Sequence, residues 1–535
     1  MVSEEPEDES IGIGAARTLS SLLPSKLVGL VISALTVIVI ARLLSPTDYG
    51  VYTLAFGFAL LIGSMGHFGI GTYFNKHFAE EIHKKNREEH RISSILSTGY
   101  SMLILLGAIV SIAGVLLSGY AAAIFAHSQS AYGAFVIASI SLFFSMTYGA
   151  SYSALVGLGR GKYAASSMLS TYSVQFVVSL LLILYGFGVE GAIGGMLAGY
   201  FFGFFISIFL VIKAASAYEK ISFIIPGREK IRAMLSFSLP IGLTNLLNNG
   251  ISNFAIEFLG IFTTAAIVGS YGVANKGLSI MAVVYGTIST VLLPSFSASI
   301  AKSSERQNMD RVFNKALIYS LLISVPFVFY VGVFSKPIVY FFLTKKYTIA
   351  PQYLLLVSIG VSMYLLGSYA SNFLIAGGKV KKVLKYTAVS VAAQLVSLVV
   401  LVPAFHAIGA ILSLFFIGSI ASDLLLLGGM YSIYSIKPHY AKVAKIYASN
   451  ILLFAVLSPL LLLPHYYLQL LIGAVLVLVL YPPLEVLFGV LDEKSIEEMS
   501  SMSNKIPGIK KLADYIYAYA NIFIAAKRNK QINNG

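Results

Sequence analysis

Fourteen stretches of this chain are too long and too apolar to be core helices of a soluble protein. They centre near residues 33, 59, 106, 144, 176, 201, 246, 277, 325, 363, 394, 418, 455 and 479. Each can cross the roughly 30 Å of hydrocarbon in a bilayer. With no water there to satisfy the backbone, such segments must close their own hydrogen bonds as helices. Composition agrees: 57% of residues are hydrophobic and 11% are charged, against roughly 25% charged in soluble domains. The expected fold is all-α and membrane-embedded, with about 14 transmembrane helices.

A net charge of +14 would point a soluble protein toward nucleic acid, but here its distribution matters more than its size. With the N-terminus inside, 32 of the 37 lysines and arginines fall on the cytoplasmic side. Only Arg42, Lys336, Lys345 and Lys346 lie outside, and Lys276 falls within a span. The positive-inside rule then places both termini in the cytoplasm. The chain has no cysteine, which excludes disulfides, thiolate metal sites and cysteine nucleophiles. It has no tryptophan, so its 33 tyrosines are left to supply the interfacial aromatic belts. Acidic residues from Glu4 to Glu9 stand where a signal peptide would carry basic ones, so no cleaved leader is expected.

The segment Ala41 to Ala55, ARLLSPTDYGVYTLA, joins the first two spans with little to spare. Ser45 reads as an N-cap, Pro46 as the first helical residue, and Asp48 as the acid that suits the exposed N–H groups. Arg42 closes the preceding helix, where a cation complements the dipole. Part of this segment recurs. Gly50-Val51-Tyr52-Thr53-Leu54-Ala55 aligns with Gly269-Ser270-Tyr271-Gly272-Val273-Ala274, an offset of 219. Gly159 with Gly378, Arg160 with Lys379, Lys162 with Lys381 and Gln175 with Gln394 keep that offset. Gly191-Ala192-Ile193 matches Gly409-Ala410-Ile411 at 218. Two related halves of six spans each therefore cross in the same direction, with a cavity expected where they meet. The expected divisions are an acidic cytoplasmic N-terminus (1–18), two six-helix bundles (19–215 and 216–432), two further helices (433–490) and a cytoplasmic tail (491–535). Within the tail, the Tyr-rich stretch 512–526 between basic pairs reads as an interfacial helix.

No connection is large enough to house an extracellular catalytic domain. A phosphate loop is also excluded: Gly161-Lys162 is followed by Tyr163, and Val156 stands where glycine is required. An enzyme is disfavoured, and no metal or cofactor is expected.

ARLLSPTDYGVYTLA, ALVGLGRGKYAA at 154–165, SLPIGLTNLL at 238–247, AAIVGSYGVANKG at 265–277 and LIAGGKVKK at 374–382 carry a resemblance. Over roughly residues 15–490 the chain resembles the polysaccharide transport family of the multidrug/oligosaccharidyl-lipid/polysaccharide exporter superfamily. The resemblance implies two six-helix bundles forming a V, plus helices 13 and 14. It also implies a polyprenyl- or dolichyl-linked oligosaccharide moved from the inner to the outer leaflet of the cell membrane. Glycan-assembly enzymes are the expected partners, and H+ or Na+ a possible coupling ion.

The residues themselves nominate a site. In the seventh span Asn245, Asn248, Asn249, Ser252, Asn253 and Glu257 recur at steps of three and four, so they share one helical face. Amides and a carboxylate facing lipid are costly, so the stripe is expected to line a wet cavity or to bond a neighbouring helix. Lys276, near mid-membrane in the eighth span, is read as the cation for a lipid-linked phosphate; an ion pair with Glu257 is the competing reading. Arg42 serves as a helix-end anchor or a substrate contact. Gln175 and Gln394 serve sugar binding or equivalent packing in the two halves. A drug/cation antiporter of the same fold would want acidic groups in the first bundle. Among the first six spans the acids are Asp48 and Glu190, both at outer ends. A non-transporting scaffold would instead seal the polar stripe.

Overall fold

A computed structural model describes residues 28–66, 69–84, 90–277 and 306–493, with Met281, Phe296, Ile300, Tyr519 and Phe523 described singly. Nearly all of the expected interfacial helix at 512–526 lies outside the described residues. The chain divides into two compact units, Met1–Gly272 and Val273–Gly535.

The first unit contains α1 (Val28–Leu43), α2 (Pro46–Gly66), α3 (Ile70–His83), α4 (Arg91–Phe125), α5 (Tyr132–Gly157), α6 (Gly161–Leu182), α7 (Gly188–Ala215) and α8 (Arg228–Phe262). A further helix, α9 (265–277), carries the chain across the boundary. The start of α2 is the one expected. The Asp48 N–H donates to Ser45 Oγ at 3.1 Å, and that hydroxyl donates to Asp48 Oδ2 at 2.7 Å. One N–H that the helix end leaves without a partner is thereby satisfied locally.

The recurring Gly-x-Tyr-x-x-Ala segments meet each other. A Cβ on Gly50 of α2 would stand 1.7 Å from the Ala265 carbonyl oxygen of α9, and one on Gly269 would stand 2.3 Å from the Pro46 carbonyl oxygen. The two backbones are in direct contact, which only glycine permits. Tyr52, Tyr271, Ala55 and Ala274 are all buried. Elsewhere the packing follows membrane logic, with small residues inward and large ones outward. Helix α4 buries Gly107, Ser111, Gly114 and Ser118 while exposing Leu105, Ile109, Ile112 and Leu116. Ser111 Oγ donates to the Ser139 carbonyl at 2.9 Å across the contact with α5.

The stretch 71–93, between the second and third expected spans, is mostly the helix α3. Ile70, Phe74 and Phe78, four residues apart, are fully buried among charged neighbours. So narrow an apolar stripe does not raise average hydropathy, which is why the helix escapes a span search. The connection after α7 is fastened to the start of α4. Glu219 accepts the Ile92 N–H at 3.2 Å and the Ser93 N–H at 2.5 Å. The Ser222 and Ile224 N–H groups donate to Ser93 Oγ and Ser97 Oγ. A carboxylate at a helix N-terminus is favoured by the dipole and the free N–H groups.

The second unit contains α10 (Arg306–Val333), α11 (Ser335–Phe342), α12 (Ala350–Ala376), α13 (Val380–Ile411), α14 (Gly418–Tyr434), α15 (Tyr440–Leu457) and α16 (Tyr466–Leu487). Here the connection after α14 is fastened to α10: Asn314 Nδ2 donates to the Lys437 carbonyl at 3.0 Å and Asn314 Oδ1 accepts the His439 N–H at 2.7 Å. Among the described residues, eight helices are long and apolar enough to cross a membrane, which makes this a multi-pass membrane protein. Two of them are 55-residue runs, Gly161–Ala215 and Val380–Tyr434. Each is more than twice the length one crossing needs, and each is broken. Gly188 takes φ 51, ψ −125, and His406 takes φ 52, ψ −126. The same turn thus recurs 218 residues on, with histidine in a conformation suited to glycine.

The glycine contact gives a direct test. Gly50→Ala or Gly269→Ala forces α2 and α9 apart, and overpacking of this kind costs about 1–3 kcal/mol. Each variant is expected to melt lower in detergent. Gly428→Ala, where a Cβ meets nothing within 4 Å, is expected to melt no lower than the parent. Equal melting of all three would contradict the contact.

Candidate functional site

Helix α8 carries the polar stripe, and the structure grades it. Asn245 and Asn249 are exposed and Asn253 is half-buried, with its Nδ2 donating to the Asn249 carbonyl at 3.0 Å. Glu257, three helical turns beyond Asn245, is 1% exposed. Twelve residues at 100° each turn the helix by a net ~120°, so a stripe spaced every fourth residue winds from an open face onto a packed one. The packed face meets α2: a Cβ on Gly57 would stand 2.7 Å from Glu257 Oε1. Among the described residues neither Glu257 oxygen has a hydrogen-bond partner. A buried carboxyl without one is costly. The sequence puts Glu257 with the asparagines; the structure puts it behind them.

Lys276, in α9, belongs to the second unit and is half-buried. Arg42 is exposed at the end of α1, beside the Ser45–Asp48 cap. Gln175 and Gln394 occupy like surroundings in their own units. Each lies against a glycine 24 positions on: a Cβ on Gly199 would meet Gln175 Cβ at 2.8 Å, and one on Gly418 would meet Gln394 Nε2 at 2.4 Å. Gln394 also reaches Ser390 Oγ at 3.4 Å. Each glutamine thus contacts a glycine of its own unit. Asp48 and Glu190 are exposed, as expected for acids at helix ends.

Two polar groups lie apart from the expected site residues. In the first unit Tyr152, Tyr172 and Tyr200 surround Tyr148, drawing on α5, α6 and α7. The Tyr148 and Tyr200 rings lie 6.0 Å apart, and the Tyr152 hydroxyl has no partner among the described residues. These tyrosines sit within spans, whereas the sequence reading assigns tyrosine to the membrane interfaces. In the second unit Asp423 of α14 accepts the Gly367 N–H of α12 at 2.8 Å, and Tyr447 of α15 donates to the Ser362 carbonyl. Neither partnership has a local sequence signal, because the groups are 56 and 85 residues apart. An apolar hollow of about 630 Å³ on α13, lined by Val389, Val396, Val400 and Ile417 among others, includes none of the expected site residues. It suits hydrocarbon rather than sugar. Among the described residues no three His, Asp or Glu converge to hold a metal.

The profile of a family described as polysaccharide biosynthesis protein matches residues 39–352, more than half of the chain. The chain belongs to that family. No curated protein matches it. Among solved structures the fold is similar to that of the lipid II flippase MurJ in an inward closed conformation. The TM-score is 0.69 at 17% identity, covering 87% of this chain and 97% of that one. It is also similar to an inward-facing multidrug resistance MATE family transporter of the MOP superfamily, with TM-score 0.65, 16% identity, and coverage of 76% and 95%. At these identities the likeness is one of fold. The resemblance read from the motifs and the family match agree, and the fold is similar to those of this lipid II flippase and this MATE transporter.

Within that fold the contact between Glu257 and Gly57 can be tested by a double-mutant cycle. Gly57→Ala alone drives a methyl into the carboxyl and is expected to destabilise. Glu257→Ala removes the obstacle, so the double variant is expected to be more stable than the sum of the single effects predicts, by about 0.5–3 kcal/mol. Strict additivity of melting changes would contradict the packing.

Proposed function

We propose that this protein is a flippase that moves a polyprenyl- or dolichyl-linked oligosaccharide from the inner to the outer leaflet of the cell membrane by alternating access. The observation that carries the reading is its membership of a polysaccharide biosynthesis family, in a chain whose fold is shared with a lipid II flippase. The finer architecture belongs to the same proposal: fourteen crossings, two repeated six-helix bundles with two added helices, and both termini in the cytoplasm. Matched local features support the repeat. Gly159 and Gly378 take φ 67 and φ 72, the two broken runs share one turn conformation, and each glutamine faces its glycine at the same separation.

The cargo sets the chemistry required. A phosphate and several sugars cannot pass through hydrocarbon, so the protein must supply a cation for the phosphate and hydrogen-bonding groups for the hydroxyls. In this reading Lys276 is the cation, and Asn245, Asn249 and Asn253 provide amides on the open face of α8. Arg42 assists at the outer end, while Gln175 and Gln394 hold the helices that move. Glu257, with or without a coupling H+ or Na+, acts behind the asparagines. Its burial in the first unit is also the one observation that favours a second reading, a drug/cation antiporter of the same fold.

The experiment is glycan export by cells that depend on this protein. Lys276→Ala is expected to abolish the appearance of glycan outside while leaving protein level and insertion normal. Lys276→Arg is expected to retain part of it, because a phosphate in low dielectric responds first to net charge. An ammonium near the bilayer centre costs about 2.5–3.5 kcal/mol, so a lysine without a task there would be improved by removal. Normal export by Lys276→Ala would take Lys276 out of the mechanism. Normal glycan export with loss of dye efflux would favour the antiporter.

A further inference from the structure

The start of α6 and the end of α7 hold three cations to which the transport reading gives no part. Arg160 and Lys162 flank Gly161, the first residue of α6, and Lys213 lies in the last turn of α7. All three are exposed. The two segments exchange cations and rings. The Arg160 guanidinium lies over the Tyr218 ring, 5.8 Å from its centre, and Lys213 Nζ lies over the Tyr163 ring at 5.9 Å. Tyr163 follows Arg160 by three residues and Tyr218 follows Lys213 by five, so each cation rests on the other's segment. A ring fixes a cation through its quadrupole but brings no net charge to neutralise it.

No carboxylate neutralises them either. Among the described residues none forms an ion pair with Arg160, Lys162 or Lys213. Between residues 154 and 218 the one acid is Glu190, in the first turn of α7 and so at the opposite end of that helix from Lys213. Glu219 is committed to the Ile92 and Ser93 N–H groups. On α3, Glu80 faces Lys76 and His77, and Glu81 faces Lys84. Three like charges held together where two membrane helices end call for an anion from outside the chain. The helix leading to Lys213 shows what kind of molecule carries it. Phe202, Phe205, Phe209 and Ile212 are exposed at steps of three, four and three, so they share one face of α7, and Lys213 follows Phe209 by four. From Phe202 to Lys213 the helix rises ~17 Å, about half the hydrocarbon thickness of a bilayer. That is the depth of one leaflet. An acyl chain laid on this face brings its headgroup to the three cations. The second unit repeats only part of the set: Lys379 and Lys381 stand 219 residues after Arg160 and Lys162, but Tyr431 and Ser432 stand where Lys213 would recur.

We propose that the first unit binds one anionic phospholipid, its phosphate held by Arg160, Lys162 and Lys213 and an acyl chain lying along α7. Basic pockets between membrane helices hold anionic headgroups in this way. Arg160 offers a phosphate two parallel N–H donors, whereas the lysines act on it as point charges. The headgroup neutralises cations from both segments and so ties the start of α6 to the end of α7. The occupant is a phospholipid of the surrounding leaflet rather than the oligosaccharide cargo, because the stretch from Phe202 to Ile212 carries no amide to receive sugar hydroxyls. The site is independent of the flippase reading, since lipid binding is measured without transport.

The test is native mass spectrometry of the full chain released from detergent, with phosphatidylglycerol and phosphatidylcholine of equal chain length offered together. The wild type is expected to retain phosphatidylglycerol in preference. Arg160→Gln, Lys162→Gln and Lys213→Gln are each expected to weaken that retention about fivefold, the scale of one cation near an anionic headgroup, and the triple variant to abolish the preference. Should the triple variant fail to fold, the single variants carry the test. A charge-matched control combines Lys336→Gln, Lys345→Gln and Lys346→Gln, three cations that also lie over tyrosine rings, and is expected to retain the lipid like wild type. Equal loss in the control, or undiminished retention in the Arg160, Lys162 and Lys213 variants, would overturn the proposal. Displacement of the lipid by equimolar glycerol phosphate, which has no acyl chain, would do the same. So would displacement by a polyprenyl phosphate at lower concentration than phosphatidylglycerol itself requires, which would give the site to the cargo.

Discussion

The backbone contact between α2 and α9 is the constraint on which the first unit depends. Gly50 and Gly269 remove both side chains from the crossing point, so the Ala265 and Pro46 carbonyls lie where a Cβ would otherwise stand. In lipid there is no hydrophobic drive to press helices together, and close backbone approach through small residues takes its place. The same approach sets the depth of α8, whose Glu257 occupies the space that Gly57 vacates. Each contact uses an absent side chain, and each fails with one added methyl.

Buried hydrogen bonding follows a second rule of the bilayer. Serine and threonine hydroxyls on almost every helix return to the carbonyl one turn back, as Thr53 does to Tyr49 and Ser151 to Thr147. Groups too large or too polar to satisfy themselves locally stand out against that background. Asp423 reaches a neighbouring helix, while Glu257 and Glu485 keep oxygens without partners among the described residues. These are the places where the structure holds something besides its own packing.

Much of the fold was legible in the sequence because membrane helices announce themselves. Uncharged runs marked the eight described helices that can cross a membrane, and Ser45-Pro46-Thr47-Asp48 marked the start of α2. Glycines at offsets of 218 and 219 pointed to features that recur in the backbone, including the turn at Gly188 and His406. The amphipathic α3 was missed because its apolar stripe is one residue wide. The candidate site was less legible. Steps of three and four correctly put the asparagines on one helix, but helical drift carried Glu257 to a different neighbour. The mid-span tyrosines of α5, α6 and α7 meet only after three helices have packed, and no spacing along the chain encodes that.

The central claim, that this chain carries a lipid-linked oligosaccharide between leaflets, is most directly tested in vesicles. The purified protein is reconstituted with a short polyprenyl-phosphate-linked oligosaccharide confined to the inner leaflet, and a membrane-impermeant glycosidase outside reports its arrival. The account predicts cleavage that grows with time and protein content, beyond that of protein-free vesicles. Folded, reconstituted protein that leaves the glycan protected while expelling a cationic dye would contradict it.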